Sequence, residues 1–186
     1  MSGFTVLELM VTLAVLFISF GIAGPQLNNF ILSNRMVADL NRFTSSLHYA
    51  RTEAAIRQAS VSVCKTDSTS ACNTSADWED GWIVFTDTDG DGVIDSADGD
   101  TILRYNGPLG GIASIEHTGS AMNNRITFSA LGRTGNTGTL WLCDSRGASE
   151  SKGIVVAGSG RVRRAADNND NGTIDQGDTN TGVTCP

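Results

Sequence analysis

The chain has 186 residues, a formal net charge of −7 and a mean hydropathy of −0.08. This length is enough for one domain with a core and hardly for two, and the hydropathy excludes a protein that crosses a membrane many times. The negative charge excludes a protein that coats nucleic acid with its whole surface, so any contact with nucleic acid has to be local.

The N-terminal segment is predicted to be a membrane helix. From Phe4 to Gly24 the chain has 21 residues and one ionisable group, Glu8. At ~1.5 Å per residue this helix is roughly 30 Å long, about the thickness of the bilayer hydrocarbon. A carboxylate in such a segment costs a few kcal/mol and is usually functional, so Glu8 needs a specific partner. A secretory signal peptide is disfavoured, because no basic residue precedes the apolar run.

The stretch from Gly3 to Met10, GFTVLELM, resembles the N-terminal motif of the type IV pilin and type II secretion pseudopilin superfamily. The resemblance implies that a prepilin peptidase cuts after Gly3 and methylates the new amino terminus at Phe4. It also implies that Glu8 pairs with the terminal amine of a neighbouring subunit during assembly. Residues 1–3 are then the leader, and residues 4–25 form the transmembrane and filament-core helix.

Residues 26–59 are predicted to continue this helix as an amphipathic half. Apolar residues recur at steps of three and four, which is the period of a helix with one buried face. They are Leu27, Phe30, Ile31, Val37, Leu40, Phe43, Leu47 and Ala54. Pro25 is expected to kink the helix rather than end it. An unrelated anchor followed by a separate surface helix is the alternative.

Residues 60–186 are predicted to form a β-rich body, because 21 glycines and three prolines indicate many tight turns. The predicted strands are Val61–Cys64, Trp82–Phe85, Ile102–Tyr105, Arg125–Ser129, Thr139–Cys143, Gly153–Ala157 and Arg161–Arg164. We expect an antiparallel sheet packed on the helix, an α+β arrangement, with His117 in a loop-like stretch.

The body contains four cysteines, and an exported body implies an oxidising compartment in which they form two disulfides. Of the three pairings we prefer Cys64–Cys72, which closes a short polar loop, and Cys143–Cys185, which ties the C-terminus to a core strand. A zinc site is disfavoured, because the CxxC-type spacing is absent.

The body also resembles the minor pilins of the FimT and FimU type and their relative, the GspH pseudopilin of type II secretion. The resemblance rests on the order of the segments VSVCKTDSTSAC, DWEDGWIVFTD, LWLCDSRG and GIVVAGSGRVR, followed by a terminal cysteine. It implies a type IV pilin-like fold, other pilins as partners and a minor subunit near the filament tip. It also implies a single-pass protein of the bacterial inner membrane with its body in the periplasm, assembled in an extracellular pilus or a periplasmic pseudopilus.

Two acidic loops have the spacing of oxygen-ligand calcium sites. The candidate ligands are Asp87, Asp89, Asp91, Asp95 and Asp98 in the first acidic loop (residues 87–100), and Asp167, Asn169, Asn171, Asp175 and Asp178 in the second acidic loop (residues 167–178). Neither is an EF-hand, because both end in Asp where an EF-hand has Glu and both lack helical flanks. Calcium is the one cofactor suggested; an ordinary solvated turn is the alternative for each loop.

Residues 160–164, GRVRR, contain three arginines in four positions. In a strand, Arg161 and Arg163 project from one face, ~6.6 Å apart, whereas Val162 faces the core with Arg164 on its side. Two parallel guanidinium groups suit phosphate oxygens and need no reading of bases.

The same residues, Gly160 to Arg163, match the GRxR motif of FimT-like pilins that bind DNA during natural transformation. This resemblance predicts that the DNA backbone is a partner, bound through Gly160, Arg161, Arg163 and Arg164. Arg35 and Arg51, on the helix, are expected to contribute little. The alternative is a solvated strand whose arginines pair with Asp167 and Asp170.

No Walker A loop, HExxH motif or GxSxG motif occurs in the sequence, so no enzyme activity is predicted. Three functions stay open at this point. The first is a minor type IV pilin that binds DNA in natural transformation. The second is a GspH-type pseudopilin of a type II secretion system without a nucleic-acid ligand. The third is a calcium-dependent adhesin at a pilus tip.

Overall fold

The computed structural model describes residues 3–110, 114–177 and 181–186, without the side chains of residues 21–25. One long helix, α1 (Val6–Arg57), precedes the strands. Within the described residues the strands are β1 (Val61–Lys65), β2 (Trp82–Thr86), β3 (Ile102–Asn106), β4 (Ser114–His117), β5 (Arg125–Phe128), β6 (Gly138–Cys143), β7 (Lys152–Val156) and β8 (Val162–Arg164). The chain divides into two compact units, Met1–Arg35 and Met36–Pro186.

The first unit contains the N-terminal part of α1. The helix is capped by Thr5, whose Oγ1 accepts a hydrogen bond of 3.2 Å from the backbone N–H of Glu8. It continues through Pro25, so this proline does not end it. The predicted membrane segment, residues 4–25, includes side chains outside the described ones. Among the described residues, no helix combines the length and apolarity needed to cross a membrane.

The second unit begins with the part of α1 that packs against the strands. Its buried face repeats at steps of four and three residues, as expected for a helix with one apolar stripe. The buried residues are Met36, Leu40, Phe43, Leu47, Ala50 and Ala54. Three residues predicted for the same stripe are exposed, namely Leu27, Phe30 and Ile31. The buried face of α1 begins only at Met36.

Phe43 forms the centre of this packing. Its ring lies edge-on to Trp78 and Trp82, with centroid distances of 5.4 and 5.0 Å. All three side chains are nearly inaccessible to solvent. Edge-to-face contacts contribute beyond the burial of apolar area, so this cluster fixes the helix on the body.

The strands form two antiparallel sheets of four strands each. The first sheet has the order β3-β2-β1-β5, and the second has the order β4-β6-β7-β8. The predicted α+β class, a long N-terminal helix followed by an antiparallel body, is confirmed. The division into two sheets, which the sequence analysis treated as one, follows from pairing: β5 joins β1, whereas β6 lies between β4 and β7.

Strand β4 was not predicted, and it places His117 in a strand rather than in a loop-like stretch. Its sequence, SIEH, buries only Ile115. One apolar residue among polar neighbours gives too weak an alternation to identify a strand.

The structure forms the two disulfides preferred above. Cys64–Cys72 and Cys143–Cys185 both have a Cα–Cα distance of 5.7 Å, within the range usual for disulfides. Next to the second bridge, the indole N–H of Trp141 donates to the carbonyl of Thr184 at 3.0 Å. The C-terminal segment is therefore fixed to β6.

Candidate functional site

The GRxR motif begins in a tight turn between β7 and β8, here called the arginine turn (residues 157–161). The N–H of Gly160 donates to the carbonyl of Ala157 at 2.7 Å, and the N–H of Ala157 donates to the carbonyl of Arg161 at 3.0 Å. Gly160 has φ +72°, and a Cβ atom there would lie 1.8 Å from the carbonyl oxygen of Gly132. Both the conformation and the space therefore require glycine at this position.

The residues of the motif alternate between solvent and core as predicted from strand geometry. Val162 is buried and belongs to the main hydrophobic core. Arg161 precedes the first residue of β8 and is exposed, whereas Arg163 is half-buried and its Nη2 donates to the carbonyl of Gly177 at 3.5 Å. Among the described residues Arg161 forms no ion pair.

Arg164 lies on the other side of the strand. Its Nη2 donates to Oδ1 of Asn41 on α1 at 3.1 Å. This contact connects β8 to α1, and the side chain of Arg164 is exposed. A role of Arg164 in DNA binding stays a prediction.

Arg51 on α1 stabilises the arginine turn. Its Nε donates to the carbonyl of Gly132 at 3.0 Å, and its Nη2 donates to the carbonyl of Ser159 at 3.2 Å. This side chain therefore connects two turns, and the expectation that Arg51 contributes little to DNA binding stays a prediction. The contact to Ser159 joins residues 108 positions apart, so no local sequence signal could have identified it.

A third arginine, Arg133, lies next to Gly132 and is exposed. Arg51, Arg133 and Arg161 thus come from three separate segments that meet where Gly132 contacts Gly160. Within the described part of the chain, none of these three arginines forms a salt bridge.

The first acidic loop brings three of its five candidate ligands together. Carboxylate oxygens of Asp87, Asp89 and Asp91 lie within 4.8 Å of one another. Asp87 is buried and accepts hydrogen bonds from Oγ of Ser62 at 2.5 Å and from the N–H of Gly92 at 3.1 Å. Two carboxylates at the surface beside a fixed third one bring together the oxygen ligands that hard cations take.

Asp95 and Asp98 lie outside this cluster. Oδ1 of Asp95 accepts a hydrogen bond of 3.0 Å from the N–H of Asp98. The neighbouring charges of Asp95 and Asp89 raise the pKa of Asp98 above its ordinary value. Asp100 was not among the predicted ligands. Its Oδ1 accepts a hydrogen bond of 3.0 Å from the N–H of Thr88, and its buried Oδ2 has no hydrogen-bond partner among the described residues.

The second acidic loop has the same spacing of acidic and amide residues as the first, but its carboxylates form different hydrogen bonds. The carboxylate of Asp167 accepts hydrogen bonds from the N–H groups of Asn171 and Gly172, at 3.2 and 2.8 Å. Asp175 is buried, and its two oxygens accept from the side-chain amides of Asn168 and Asn169. Asp178 lies outside the described residues. Among those described, only the first acidic loop contains three clustered carboxylates.

The N-terminal candidates are exposed in the isolated chain. Phe4 is 84% exposed, and Glu8 lies in the first turn of α1. Gly3 precedes the helix. These positions leave Phe4 and Glu8 accessible to another subunit.

Comparison with known proteins adds four findings. Residues 39–160 match the family described as type II transport protein GspH. A crystal structure of the type IV minor pilin FimU of Pseudomonas aeruginosa (strain PAO1) is 19% identical, has a TM-score of 0.54, and covers 72% of this chain and 90% of its own. A second crystal form of the same pilin gives 19% identity, a TM-score of 0.51, and coverage of 69% and 91%. No curated protein matches the chain at the required significance.

The family match covers more than half of the chain, from α1 to Gly160. The likeness to FimU shows that the fold is that of a type IV pilin. Both findings describe structural subunits rather than enzymes. The chain therefore belongs to the GspH family of minor pilins and pseudopilins, which associate with other pilins in a pilus or pseudopilus.

Proposed function

We propose that the chain is a minor type IV pilin that binds the DNA backbone through Arg161 and Arg163 during natural transformation. The observation that supports this most directly is the fixed arginine turn, in which Gly160 contacts Gly132 and Arg51 contacts Ser159. Because Val162 is anchored in the core, the residues on either side of it are directed away from the core. A guanidinium group on a rigid backbone binds phosphate with a small loss of conformational entropy.

The distribution of charge supports the same proposal despite the net charge of −7. Ten of the 20 acidic residues lie in the two acidic loops, so the remainder of the chain has ten acidic and 13 basic residues. Exposed Arg133 and half-buried Arg51 add to the positive charge near Arg161. A local basic surface is sufficient to attract a polyanion over about a Debye length.

Contacts to phosphates carry no sequence information. We therefore expect binding that is independent of DNA sequence and weakened strongly by salt. With so few contacts the dissociation constant should be roughly 10⁻⁴–10⁻⁶ M at physiological salt.

The test uses the full chain in detergent and a labelled DNA duplex, with fluorescence anisotropy as the readout. Arg161→Gln combined with Arg163→Gln should abolish binding while both disulfides and the melting temperature are kept. In cells the same double variant should abolish transformation. Arg35→Gln is the matched control, because Arg35 is exposed on α1 in the other unit. A double variant that binds DNA as well as the unmodified chain at low salt would refute the proposal.

Assembly is the second part of the proposal. A prepilin peptidase cuts after Gly3 and methylates Phe4, and Glu8 pairs with the amine of a neighbouring subunit. Residues 4–25 anchor the subunit in the inner membrane, with the body in the periplasm. The exposure of Phe4 and Glu8 supports this. Mass spectrometry of assembled filaments should give an amino terminus at methylated Phe4, and an intact Met1 would contradict it.

A pseudopilin of a type II secretion system is the second candidate, and the description of the matching family favours it. In that role the chain has no DNA ligand. Deletion of its gene would then stop protein secretion and leave transformation unchanged, the opposite of what the first proposal requires.

A calcium-dependent adhesin at a pilus tip is the third candidate. Its support is the cluster of Asp87, Asp89 and Asp91 in the first acidic loop. It requires that attachment of cells to a surface depends on calcium and on these three carboxylates.

A further inference from the structure

The second acidic loop contains one of the two Asn–Gly sequences in the chain, Asn171–Gly172; the other is Asn106–Gly107. In an Asn–Gly sequence the backbone nitrogen of the glycine can attack Cγ of the asparagine, because glycine has no side chain that hinders the approach. Asn171 and Gly172 are both exposed, so water reaches them. The attack is promoted by a base at the nitrogen and by hydrogen-bond donors at the side-chain carbonyl, and this loop contains both.

Asp167 supplies a base at the attacking nitrogen. Its Oδ2 accepts a hydrogen bond of 2.8 Å from the N–H of Gly172, and its Oδ1 accepts one of 3.2 Å from the N–H of Asn171. A general base acts at a distance of about 2.6–3.2 Å from the atom that carries the proton, and Oδ2 of Asp167 lies within that distance. Because two N–H groups bind the carboxylate, its position relative to Gly172 is fixed.

Thr173 supplies hydrogen bonds at the carbonyl that is attacked. Oδ1 of Asn171 accepts from the N–H of Thr173 at 2.9 Å and from the hydroxyl group of Thr173 at 2.7 Å. Negative charge develops on this oxygen when a nitrogen adds to Cγ, and fixed donors at about 2.7–3.1 Å stabilise such a charge. Asp167 and Thr173 therefore act on the two atoms between which the new bond forms.

We propose that Asn171 is a site of self-catalysed deamidation. Asp167 takes the proton of the Gly172 N–H, and the nitrogen forms a bond to Cγ of Asn171, which closes a cyclic imide. The bond from Cγ to Nδ2 breaks, and Nδ2 leaves as ammonia with the proton that Asp167 returns. Water then adds to the imide and opens it, which leaves aspartate or isoaspartate at position 171. Water is the one co-reactant, and nothing is oxidised or reduced.

The product carries one further negative charge in the second acidic loop. The common spacing of the two loops places position 171 where the first acidic loop has Asp91. The reaction therefore makes the second acidic loop more like the first. Because ammonia is lost, the change is irreversible and accumulates with the age of the subunit.

The other Asn–Gly sequence provides an internal reference. Asn106 is the last residue of β3, where it pairs with Trp82, and its Nδ2 donates to Oγ of Ser46 at 3.4 Å. Within the described part of the chain, no carboxylate accepts a hydrogen bond from the N–H of Gly107. Asn106 has the same local sequence as Asn171 without the base, so the two rates separate the effect of the fold from that of the sequence.

The experiment incubates the full chain in detergent at neutral pH, with a chelator present so that no cation covers Asp167. Peptide mass spectrometry follows deamidation at each asparagine as a gain of about 1 Da. Asn171 should deamidate at least about tenfold faster than Asn106. In urea with the disulfides reduced, the rate at Asn171 should fall and the two rates should become similar. A rate at Asn171 that rises on unfolding would overturn the proposal, because the folded loop would then hinder the reaction.

Variants test the two groups separately. Asp167→Asn keeps the size of the side chain and removes the base, so it should slow deamidation of Asn171 about tenfold or more. Asp170→Asn is the matched control, because it removes the same charge from an exposed neighbour that does not bind the N–H of Gly172. Thr173→Val removes the hydroxyl donor and should also slow the reaction about tenfold. An unchanged or faster rate in Asp167→Asn would overturn the proposal, and an unchanged rate in Thr173→Val would overturn the role of Thr173.

Discussion

The arginine turn and the first acidic loop are both surface turns, yet different contacts stabilise them. In the arginine turn, Gly160 lies against Gly132 and Ser159 is bonded to Arg51, both distant in sequence. In the first acidic loop several hydrogen bonds join residues two or three positions apart, such as Val93 to Asp91, and others reach distant residues, such as Ser62 and Arg125. The arginine turn therefore depends on contacts with distant segments, whereas the first acidic loop combines local hydrogen bonds at its exposed residues with distant ones at buried Asp87.

The largest expected effect is the loss of stability when Gly160 is replaced, compared with the loss at Gly90, a glycine with a similar φ value. Gly160 has φ +72° and Gly90, in the first acidic loop, has φ +81°. A Cβ at Gly160 would clash with the carbonyl of Gly132, whereas nothing lies within 4 Å of a Cβ at Gly90. Gly160→Ala should therefore destabilise the protein by about 2–4 kcal/mol and Gly90→Ala by about 1 kcal/mol. Urea denaturation measures both, and equal losses would show that the arginine turn is not constrained by its neighbours.

Calcium should stabilise the first acidic loop if Asp87, Asp89 and Asp91 bind it. A ligand that binds only the native state, at 100 times its dissociation constant, adds about 2.7 kcal/mol to stability. Thermal melting in calcium and in chelator measures this difference. Asp89→Ala with Asp91→Ala should remove it, whereas Asp77→Ala, outside both acidic loops, should not. Identical melting in calcium and chelator would mean that the loop is an ordinary solvated turn.

Substitution of Arg51 tests whether the distant contacts of the arginine turn affect DNA binding. Arg51→Met removes hydrogen bonds to the carbonyls of Gly132 and Ser159, and it should cost about 1–3 kcal/mol of stability. DNA affinity should fall, but the slope of log affinity against log salt should change little, because a positioning residue neutralises no phosphate. Arg161→Gln should instead lower that slope by about 0.9. A slope lowered equally by Arg51→Met would make Arg51 a direct phosphate contact.

The smallest effect concerns the pH dependence of the first acidic loop. The charges of Asp95 and Asp89 raise the pKa of Asp98 in the folded state. A carboxyl group whose pKa is raised on folding binds protons more tightly in the native state, so its contribution to stability improves as the pH falls through that pKa. Asp98→Asn should therefore be more stable than the unmodified chain at neutral pH, with the advantage disappearing in acid. Denaturation at a series of pH values checks this, and an advantage that grows in acid would contradict it.

Much of the fold could be predicted because it depends on local patterns. The helix stripe from Leu40 onward, most strands and the burial of Val162 follow from periodicity and turn residues. The division into two sheets could not be predicted, because strand pairing depends on contacts between distant segments.

In the candidate site, too, contacts between distant residues could not be predicted from the sequence. The spacing of Arg161 and Arg163 was evident in the sequence, but the role of Arg51 depends on a contact across 108 positions. Asp87 and Asp175 occupy different positions in the same loop pattern, yet each is the buried carboxylate of its loop. Their hydrogen-bond partners are residues that the pattern does not include. Ser62 is the partner of Asp87, whereas Asn168 and Asn169 are the partners of Asp175.

The Cys143–Cys185 bridge has a mechanical consequence for the arginine turn. The bridge closes a ring with a sequence separation of 42 residues, and both Arg161 and Arg163 lie inside that ring. Closing a loop of this size lowers the conformational entropy of the unfolded chain, which stabilises the folded state by about 4 kcal/mol. A pulling force applied to these arginines reaches β6, an inner strand of the second sheet, along covalent bonds on both sides. The short strand β8 could therefore peel from β7 under load without the ring opening or the chain beyond it losing its attachment to the sheet.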